Sequence, residues 1–369
     1  MYACADGVVT FAGVVGGTWG SLVVIRHAGG VWSRYGHVTD ILVQKGDMVK
    51  RGQQIARIGN AGGKVPYHLH FDLAITDVLE RDAKHWPGMD RESVRRNYTD
   101  PRQYIRDHRP LRPQTPYSDK MVVWHWKGSS VPNTRDFSAL LHPYRQFAPR
   151  SVGGLVVKVS DGGWWMASFD THPVLRIAGP QDVQRWKEEL ERERLQLHIW
   201  AVVKGDGEEE ARPIIEAARL PGVRSVILDV EPFAGFWKGT EQDVHSLMTV
   251  LRAVLGQMHI GISVDPRRSH FAKIFPHAWG DYVDSIHPQC YWGIMGRPSK
   301  DVLEEAFAVW FPLNRPICPV LQAHDVPAEE VVGAAETALS LGASGVSLWR
   351  TGVIVPTTLM ALESWFVQK

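Results

Sequence analysis

Two patterns of apolar and polar positions divide the chain. Residues 1–75 carry short apolar runs between glycines, at 8–11, 22–25 and 32–37, without helical periodicity. Runs of this kind predict an all-β domain. From residue 121 onward, apolar runs alternate with longer amphipathic stretches, and this alternation predicts strands and helices that follow one another.

The second pattern predicts eight strands and five intervening helices. Eight such strands over about 250 residues fit a (β/α)8 barrel of the TIM type. A doubly wound open sheet is the alternative, although no glycine-rich dinucleotide fingerprint follows its first strand. The predicted strands are 121–126, 155–160, 197–203, 225–230, 260–264, 285–291, 318–321 and 345–349, and the predicted helices are 180–194, 208–218, 240–255, 300–310 and 328–341.

Three closely spaced prolines separate the two patterns and indicate a linker. We therefore predict a multidomain chain with a β domain at 1–108, a proline-rich linker at 109–120 and an α/β barrel at 121–369. The three cysteines lie far apart and show no CxxC spacing, so neither a disulfide framework nor a cysteine-zinc site is indicated.

Charge and hydropathy exclude several classes of partner. The formal net charge of +1 predicts neither a nucleic-acid nor a membrane-surface partner. No apolar run is long enough to span a membrane, and residues 1–7 have neither the basic nor the apolar region of a signal peptide. Fifteen tryptophans are many for this length, and exposed tryptophan in a cleft suits stacking on sugar rings.

The first domain carries two histidines at alternate positions of a predicted strand, His68 and His70. Residues at i and i+2 of a strand point to the same face, about 7 Å apart. The pair can therefore serve one zinc site, with one imidazole as ligand and the other as acid or base. A zinc site needs about three protein ligands, so further ligands must come from elsewhere.

Four ordered segments resemble the lysostaphin-type (LytM-like) zinc metallopeptidases, which cut peptide cross-bridges in bacterial peptidoglycan. They are residues 5–9, 34–37, 43–56 and 68–71, and the resemblance extends to about residue 105. The Gly-Asp-x-Val-x-x-Gly-Gln part of the third segment also occurs in lipoyl or biotinyl carrier domains. A carrier needs a lysine at a hairpin tip with its flanking signature, which the segment lacks.

The resemblance implies a β domain of the barrel-sandwich hybrid type, a zinc cofactor and a role for each histidine. His70 corresponds to a zinc ligand. His68 corresponds to the residue that polarises the attacking water or stabilises the oxyanion, and His37 to a second acid or base across the cleft. Zinc lowers the pKa of its bound water toward about 7, and a nearby imidazole can take the proton.

The family's remaining ligands are a histidine and an aspartate four residues later, ahead of the strand that here begins near Ala3. That stretch lies outside the printed sequence. Two explanations are open: the start is assigned too late, or the zinc site is lost. In either case we expect low peptidase activity from the chain of this sequence, because a zinc held by one or two histidines binds weakly.

The fourth predicted barrel strand ends in two carboxylates, Asp229 and Glu231, which are two residues apart and share a face. In a barrel, residues at the C-terminal strand ends face the active site. Like charges this close raise one pKa and leave one acid protonated near neutral pH, as a glycosidase general acid requires. We predict Glu231 as the acid and Asp229 as its charge partner. A carboxylate pair on the surface is the alternative.

Residues 158–162, 229–231 and 288–292 resemble the glycoside-hydrolase barrels of Chalaropsis-type lysozymes and related hydrolase-like proteins. The resemblance loosely covers residues 121–369 and implies a sugar-binding cleft. On this basis we expect substrate contacts from Asp161, Gln289, Tyr291 and Trp292.

Together these patterns predict a peptidoglycan hydrolase that joins a zinc endopeptidase-like domain to a glycosidase-like barrel. The alternatives are a non-catalytic protein that binds the wall or regulates another hydrolase, and a protein with glycosidase activity alone. The expected partner is peptidoglycan or another polysaccharide. The expected location is the cell envelope or the exterior, or release by lysis in the case of a phage endolysin.

Overall fold

The computed structural model describes residues 1–107, 114–131, 133–147 and 150–367, and the chain divides into two compact units, residues 1–111 and residues 112–369. Part of the predicted linker, residues 109–113, lies outside the described residues. Among the described helices, none combines the length and the hydropathy that are needed to cross a membrane.

The N-terminal unit is built on one antiparallel sheet with the strand order β4-β1-β2-β3-β6-β7, and β5 pairs with β3. Three short helices follow in the second half of the unit. The strands are β1 (Gly7–Gly16), β2 (Gly20–His27), β3 (Val31–Thr39), β4 (Met48–Val49), β5 (Arg57–Ile58), β6 (His70–Ala74) and β7 (Tyr98–Thr99), and the helices are α1 (Val78–Arg81), α2 (Arg91–Asn97) and α3 (Pro101–Asp107).

Strand β2 is buried on both faces, which explains its unbroken apolar sequence. Val23 and Ile25 pack into the core on one face of the sheet, and Val24 packs with Trp32 and helix α1 on the other. Three predicted strands of this domain lie within β1, β2 and β3, and the all-β prediction is confirmed. The strand predicted for both His68 and His70 begins only at His70, in β6, so His68 lies just before it.

The C-terminal unit is a closed barrel of eight parallel strands. Strand β8 pairs with both β16 and β9, and this contact closes the ring. Strand β10 is outside the ring and pairs antiparallel with the end of β9. The strands are β8 (Met121–His125), β9 (Val152–Asp161), β10 (Trp164–Trp165), β11 (Gln196–Val202), β12 (Val223–Val230), β13 (His259–Val264), β14 (Ser285–Cys290), β15 (Val320–Gln322) and β16 (Ser347–Trp349).

Helices surround the ring. They are α4 (Phe137–Arg145), α5 (Pro180–Arg192), α6 (Ala211–Ala218), α7 (Glu241–Leu255), α8 (Arg268–Phe271), α9 (Pro276–Gly280), α10 (Trp292–Met295), α11 (Ser299–Trp310), α12 (Ala328–Leu341) and α13 (Pro356–Val367). The prediction of a (β/α)8 barrel is confirmed, and the open-sheet alternative is excluded by the β8–β9 pairing.

Alternation along each strand sorts the barrel's side chains into two layers. In β12, Leu228 and Val230 point outward to the helices, whereas Ile227 packs inside the ring. Asp229 therefore lies on the inward face, and Glu231, directly after the strand, continues that face toward the C-terminal mouth.

The opposite end of the ring is closed by a buried polar layer around Tyr117. Its hydroxyl donates to Oγ of Ser225 at 2.5 Å, and Nδ1 of His198 lies 2.7 Å from the same oxygen. The rings of His287 and His259 lie against Tyr117, with centroids at 4.8 and 5.6 Å. Burial lowers the pKa of His198 to about 3 and that of His259 to about 4, so the layer is neutral at physiological pH.

This layer should make the barrel sensitive to acid. Unfolded histidine titrates near about pH 6.5, so between that pH and about 4 the unfolded chain binds protons that the folded barrel excludes. The free energy of unfolding should therefore fall as the pH falls through this window. His198→Gln should reduce that slope by at most about 1.4 kcal/mol per pH unit.

The measurement is urea unfolding at several pH values from 7 to 5. Hydrogen exchange in peptides of the barrel is the readout, so that unfolding of the two units is distinguished. The control is His142→Gln, because His142 is exposed on α4. An equal slope in the wild type and His198→Gln would contradict the assignment.

Candidate functional site

A cavity of about 560 Å³ opens at the C-terminal mouth of the barrel. Its walls combine tryptophan rings, a tyrosine and several charged side chains from different strand ends. The lining residues are Trp124, Trp126, Lys127, Lys158, Asp161, Met166, Phe169, Trp200, Asp229, Glu231, Phe236, Ser263, Gln289, Tyr291, Trp349 and Arg350.

One amide holds the two predicted catalytic carboxyl groups together. Nε2 of Gln289 lies 2.9 Å from Oδ1 of Asp229 and 2.8 Å from Oε1 of Glu231. The same nitrogen lies 3.0 Å from Oγ of Ser263, on the strand between them. Gln289 therefore fixes both carboxyl groups on one side of the cavity.

The pair retains a proton to higher pH than exposed carboxyl groups do. Burial raises the pKa of Asp229 well above its ordinary value, and the neighbouring Glu231 raises it further. Burial also raises the pKa of Glu231. Lys158 opposes both shifts, because its ammonium favours the ionised form of each carboxyl group. Asp229 is 4% exposed and Glu231 is half-buried, so Glu231 is the group that a ligand can reach.

Asp161 lies between two lysines in the wall of the cavity. Nζ of Lys158 lies 2.8 Å from Oδ2 of Asp161, and Nζ of Lys204 lies 2.6 Å from Oδ1. Burial by itself would raise the pKa of Asp161, but the two lysines lower it. Asp161 is therefore an ionised carboxylate that orders the buried Lys158, whose ammonium also lies 4.9 Å from the centroid of the Trp200 ring.

Aromatic rings cover the remaining wall. Tyr291 lies against Trp349 with ring centroids 5.8 Å apart, and Trp349 lies 6.1 Å from Trp200. Such flat apolar faces beside charged groups are suited to the faces of sugar rings.

Trp292 is the exception among the predicted substrate contacts. It begins helix α10 and is only 2% exposed, packed in the layer between strands and helices. The inward face of β14 ends at Tyr291, and the next residue turns outward. Ser263, on β13, and two phenylalanines outside the strands also line the cavity without having been predicted. The two phenylalanines lie in connecting segments, which carry no periodic signal. The predicted residues that line the cavity are Asp161, Asp229, Glu231, Gln289 and Tyr291.

The N-terminal unit brings its three predicted histidines into one cluster. His70 lies opposite Gly36 in the β3–β6 pairing, which places it beside His37. The ring centroid of His37 lies 4.6 Å from that of His68 and 5.7 Å from that of His70. Trp19, which the sequence did not single out, packs edge-on against His70 with ring centroids 4.7 Å apart. Burial, followed by the two neighbouring imidazoles, lowers the pKa of His37.

A buried ion pair orients His70. Its Nε2 lies 3.0 Å from Oδ2 of Asp72, and that oxygen lies 2.5 Å from Nη2 of Arg34, whose side chain is fully buried. Arg34 also donates to the carbonyl oxygens of Ala83 and His85 at 3.0 and 2.8 Å. Histidines that bind metals commonly donate their other ring N–H to a carboxylate. With Nε2 protonated in this way, Nδ1 of His70 is left for a ligand.

These residues do not fit a zinc ion by themselves. Within the described ranges, no group of three or more histidine, cysteine, aspartate or glutamate side chains is arranged to hold a metal. Asp6 accepts from the backbone N–H of Arg51 at 2.8 Å and pairs with Lys50 at 3.1 Å, so it is used in the turn. His70 thus supplies one suitable ligand where zinc needs about three.

Comparison with known proteins places the N-terminal unit in a class of peptidases. The model of peptidase family M23 matches residues 1–80. Lipoprotein NlpD of Yersinia enterocolitica is 37% identical over 73 residues, which are 20% of this chain and 74% of NlpD. The chain belongs to peptidase family M23, and membership implies zinc as the cofactor.

Other similar proteins are matched over different shares of their length. Peptidoglycan DD-endopeptidase ShyA of Vibrio cholerae is 45% identical over 56 residues, which are 15% of this chain and only 13% of ShyA. Among solved structures, the C-terminal domain of a chitinase candidate from Desulfitobacterium hafniense is 11% identical with a TM-score of 0.47, over 68% of this chain and 99% of that one.

The Arg34–Asp72 pair should be essential to the stability of the N-terminal unit. Arg34→Met would leave Asp72 partly buried without its cation, and we expect a loss of about 3 to 5 kcal/mol in the free energy of unfolding. Urea unfolding followed by hydrogen exchange in peptides of β3 and β6 measures it.

The matched control is Arg26→Met on the neighbouring strand β2. Arg26 is 49% exposed and lies 3.5 Å from Glu80, so its loss should cost less than about 1 kcal/mol. Similar losses in the two variants would show that the buried pair is not special.

Proposed function

We propose that the barrel is a glycosidase that acts on the glycan strands of peptidoglycan or a similar wall polysaccharide. The observation that supports this most is the carboxyl pair, Asp229 and Glu231, held by Gln289 in a tryptophan-lined cavity. A protonated acid beside a carboxylate in such a cavity is suited to the cleavage of a glycosidic bond.

In this proposal Glu231 protonates the oxygen of the leaving sugar. Asp229 takes no direct part in bond cleavage, because it is buried below Glu231 and shares its Gln289 contact on the same side of the cavity. Burial and the neighbouring carboxyl group raise the proton affinity of the pair before the reaction. Asp229 then stabilises the positive charge that develops at the sugar carbon.

The second reacting group is then proposed to come from the substrate. The third carboxylate in the described lining, Asp161, is neutralised by two lysines and fixed in the wall. Some glycosidases use a group of the substrate in place of a protein nucleophile. The acetamido group of an N-acetylated amino sugar is a suitable one, which favours glycans built from such sugars.

For the N-terminal unit we propose binding to the peptide part of the same polymer. Its ShyA relative is by name a peptidoglycan endopeptidase, and the His70–Asp72 contact has the arrangement of a metal ligand with its supporting carboxylate. The proposal for this unit is limited to binding, because the described residues do not group three metal ligands. The expected location is the cell envelope or the exterior.

The glycosidase proposal predicts that Glu231→Gln abolishes the release of reducing ends from purified peptidoglycan. Loss of the proton donor should lower the rate by about 100-fold or more. The control is Glu336→Gln, since Glu336 is exposed on α12. Full activity in Glu231→Gln would remove Glu231 as the acid.

The pH profile gives an independent reading of the same pair. Burial raises the pKa of both carboxyl groups. The acid is protonated at pH values below its raised pKa, and activity should fall as the pH rises through that pKa. Gln289→Leu removes the hydrogen bond that lowers the pKa of Glu231, so the residual activity should decline at higher pH. An unchanged alkaline limb would contradict this role of the Gln289 contact.

The metal proposal predicts weak zinc binding that depends on His70. Calorimetric titration with zinc should show binding that His70→Gln removes and that His277→Gln, an exposed histidine of α9 in the barrel, retains. Amine release from peptidoglycan should stay at background with zinc present. Tight binding or rapid amine release would contradict the incomplete site.

A further inference from the structure

Two cations flank one tryptophan ring at the mouth of the barrel. Nζ of Lys127 lies 4.5 Å from the ring centroid of Trp126, and Cζ of Arg350 lies 5.3 Å from it. All three side chains line the cavity and are half-buried. The ring therefore offers a flat apolar surface beside two positive charges.

The fold holds this group in place from two neighbouring strands. Trp126 follows β8 and Arg350 follows β16, and these two strands pair in the ring. Nη1 of Arg350 donates to Oγ of Ser130 at 3.1 Å, which anchors one side of the guanidinium. That acceptor is neutral, so the anchor positions the cation without compensating its charge.

Within the described residues, neither Lys127 nor Arg350 has a carboxylate partner. Other cations near the mouth do: Lys158 pairs with Asp161, and Arg267 pairs with Asp265 at 2.6 Å. Burial lowers the pKa of Arg350, which shows that its charge is partly desolvated. A desolvated cation without an anion is costly, and a bound anion would offset that cost.

A purely structural role explains less of this arrangement. A cation over an aromatic ring contributes only about 0.5–1 kcal/mol at exposed sites, and one cation would be enough to cover the ring. Two cations lie on one ring in the wall of a cavity that also holds the proposed acid. Their positive charge is not compensated at the place where a sugar would lie.

We propose that Lys127, Trp126 and Arg350 form a subsite for a carboxylate-bearing sugar, with the sugar stacked on Trp126 and its carboxylate between the two cations. This inference rests on the proposed glycosidase function and specifies its substrate as an acidic glycan. Arginine binds carboxylates through two parallel N–H donors, and lysine adds a flexible point charge. The carboxylate comes either from the sugar's own substituent or from a peptide attached to it.

The test measures binding, so that it does not depend on hydrolysis. The full chain carrying Glu231→Gln is titrated calorimetrically with solubilised glycan strands, and with the same strands after their carboxylates are converted to neutral amides. We expect amidation to weaken binding by about tenfold and added salt to weaken only the binding of the untreated strands.

Adding Lys127→Gln and Arg350→Gln should lower affinity for the untreated strands by about tenfold and should remove most of the difference between the two ligands. The control is Lys300→Gln, an exposed lysine on α11 paired with Glu304 at 3.7 Å, and thermal unfolding checks that each variant is folded. An equal loss on both ligands, or no loss on either, would overturn the subsite.

Strands with and without their peptides distinguish the two sources of the carboxylate. A preference that survives peptide removal assigns the carboxylate to the sugar, and one that disappears assigns it to the peptide.

The subsite proposal and the glycosidase proposal would be contradicted by different results. A wild-type chain that binds acidic strands selectively but releases no reducing ends retains the subsite and loses the glycosidase. A chain that cleaves amidated and untreated strands equally well retains the glycosidase and loses the subsite.

Discussion

Burial in a closed barrel raises the pKa of two carboxyl groups that lie together at the end of one strand. Asp229 and Glu231 are brought together by the two-residue repeat that runs through the end of β12, and the ring keeps water from Asp229. The structure meets this constraint with Gln289 as donor to both groups and with Lys158 as a buried cation nearby. Asp161 and Lys204 follow from it in turn, since Lys158 itself needs an anion.

The alternation of inward and outward side chains along the strands also divides the barrel interior into layers, from a neutral layer at one end to a charged layer at the other. At one end, Tyr117 and its histidines form a dry polar layer that excludes protons. Ile227 and the tryptophan rings fill the middle, and the charges collect at the mouth. Each layer comes from inward positions of several strands, so each side chain is held by neighbours distant in sequence. This rigidity suits the proposed glycosidase, because the proposed acid is positioned before a substrate arrives.

Periodicity and strand ends made much of this predictable. The eight strands and five of the helices follow from apolar runs, and the Asp229–Glu231 pair follows from its place at the end of one run. Long-range contacts were not predictable: Lys204 reaches Asp161 from the loop after β11, and Arg34 of β3 pairs with Asp72 on the adjacent strand β6, 38 residues later. Trp292 shows the limit of a local pattern. A shift of one position along the chain decides whether an aromatic side chain lines the cavity or packs between the strands and the helices.

An incomplete metal centre does not make the N-terminal unit irrelevant to the barrel. If that unit binds the peptides of the polymer whose glycan the barrel cleaves, the covalent link turns the second encounter into an intramolecular one. Effective concentrations then reach the millimolar range for short flexible connections. In the proposed function, the acid pair can therefore act with a modest affinity at the mouth of the barrel, because the first unit keeps the polymer nearby.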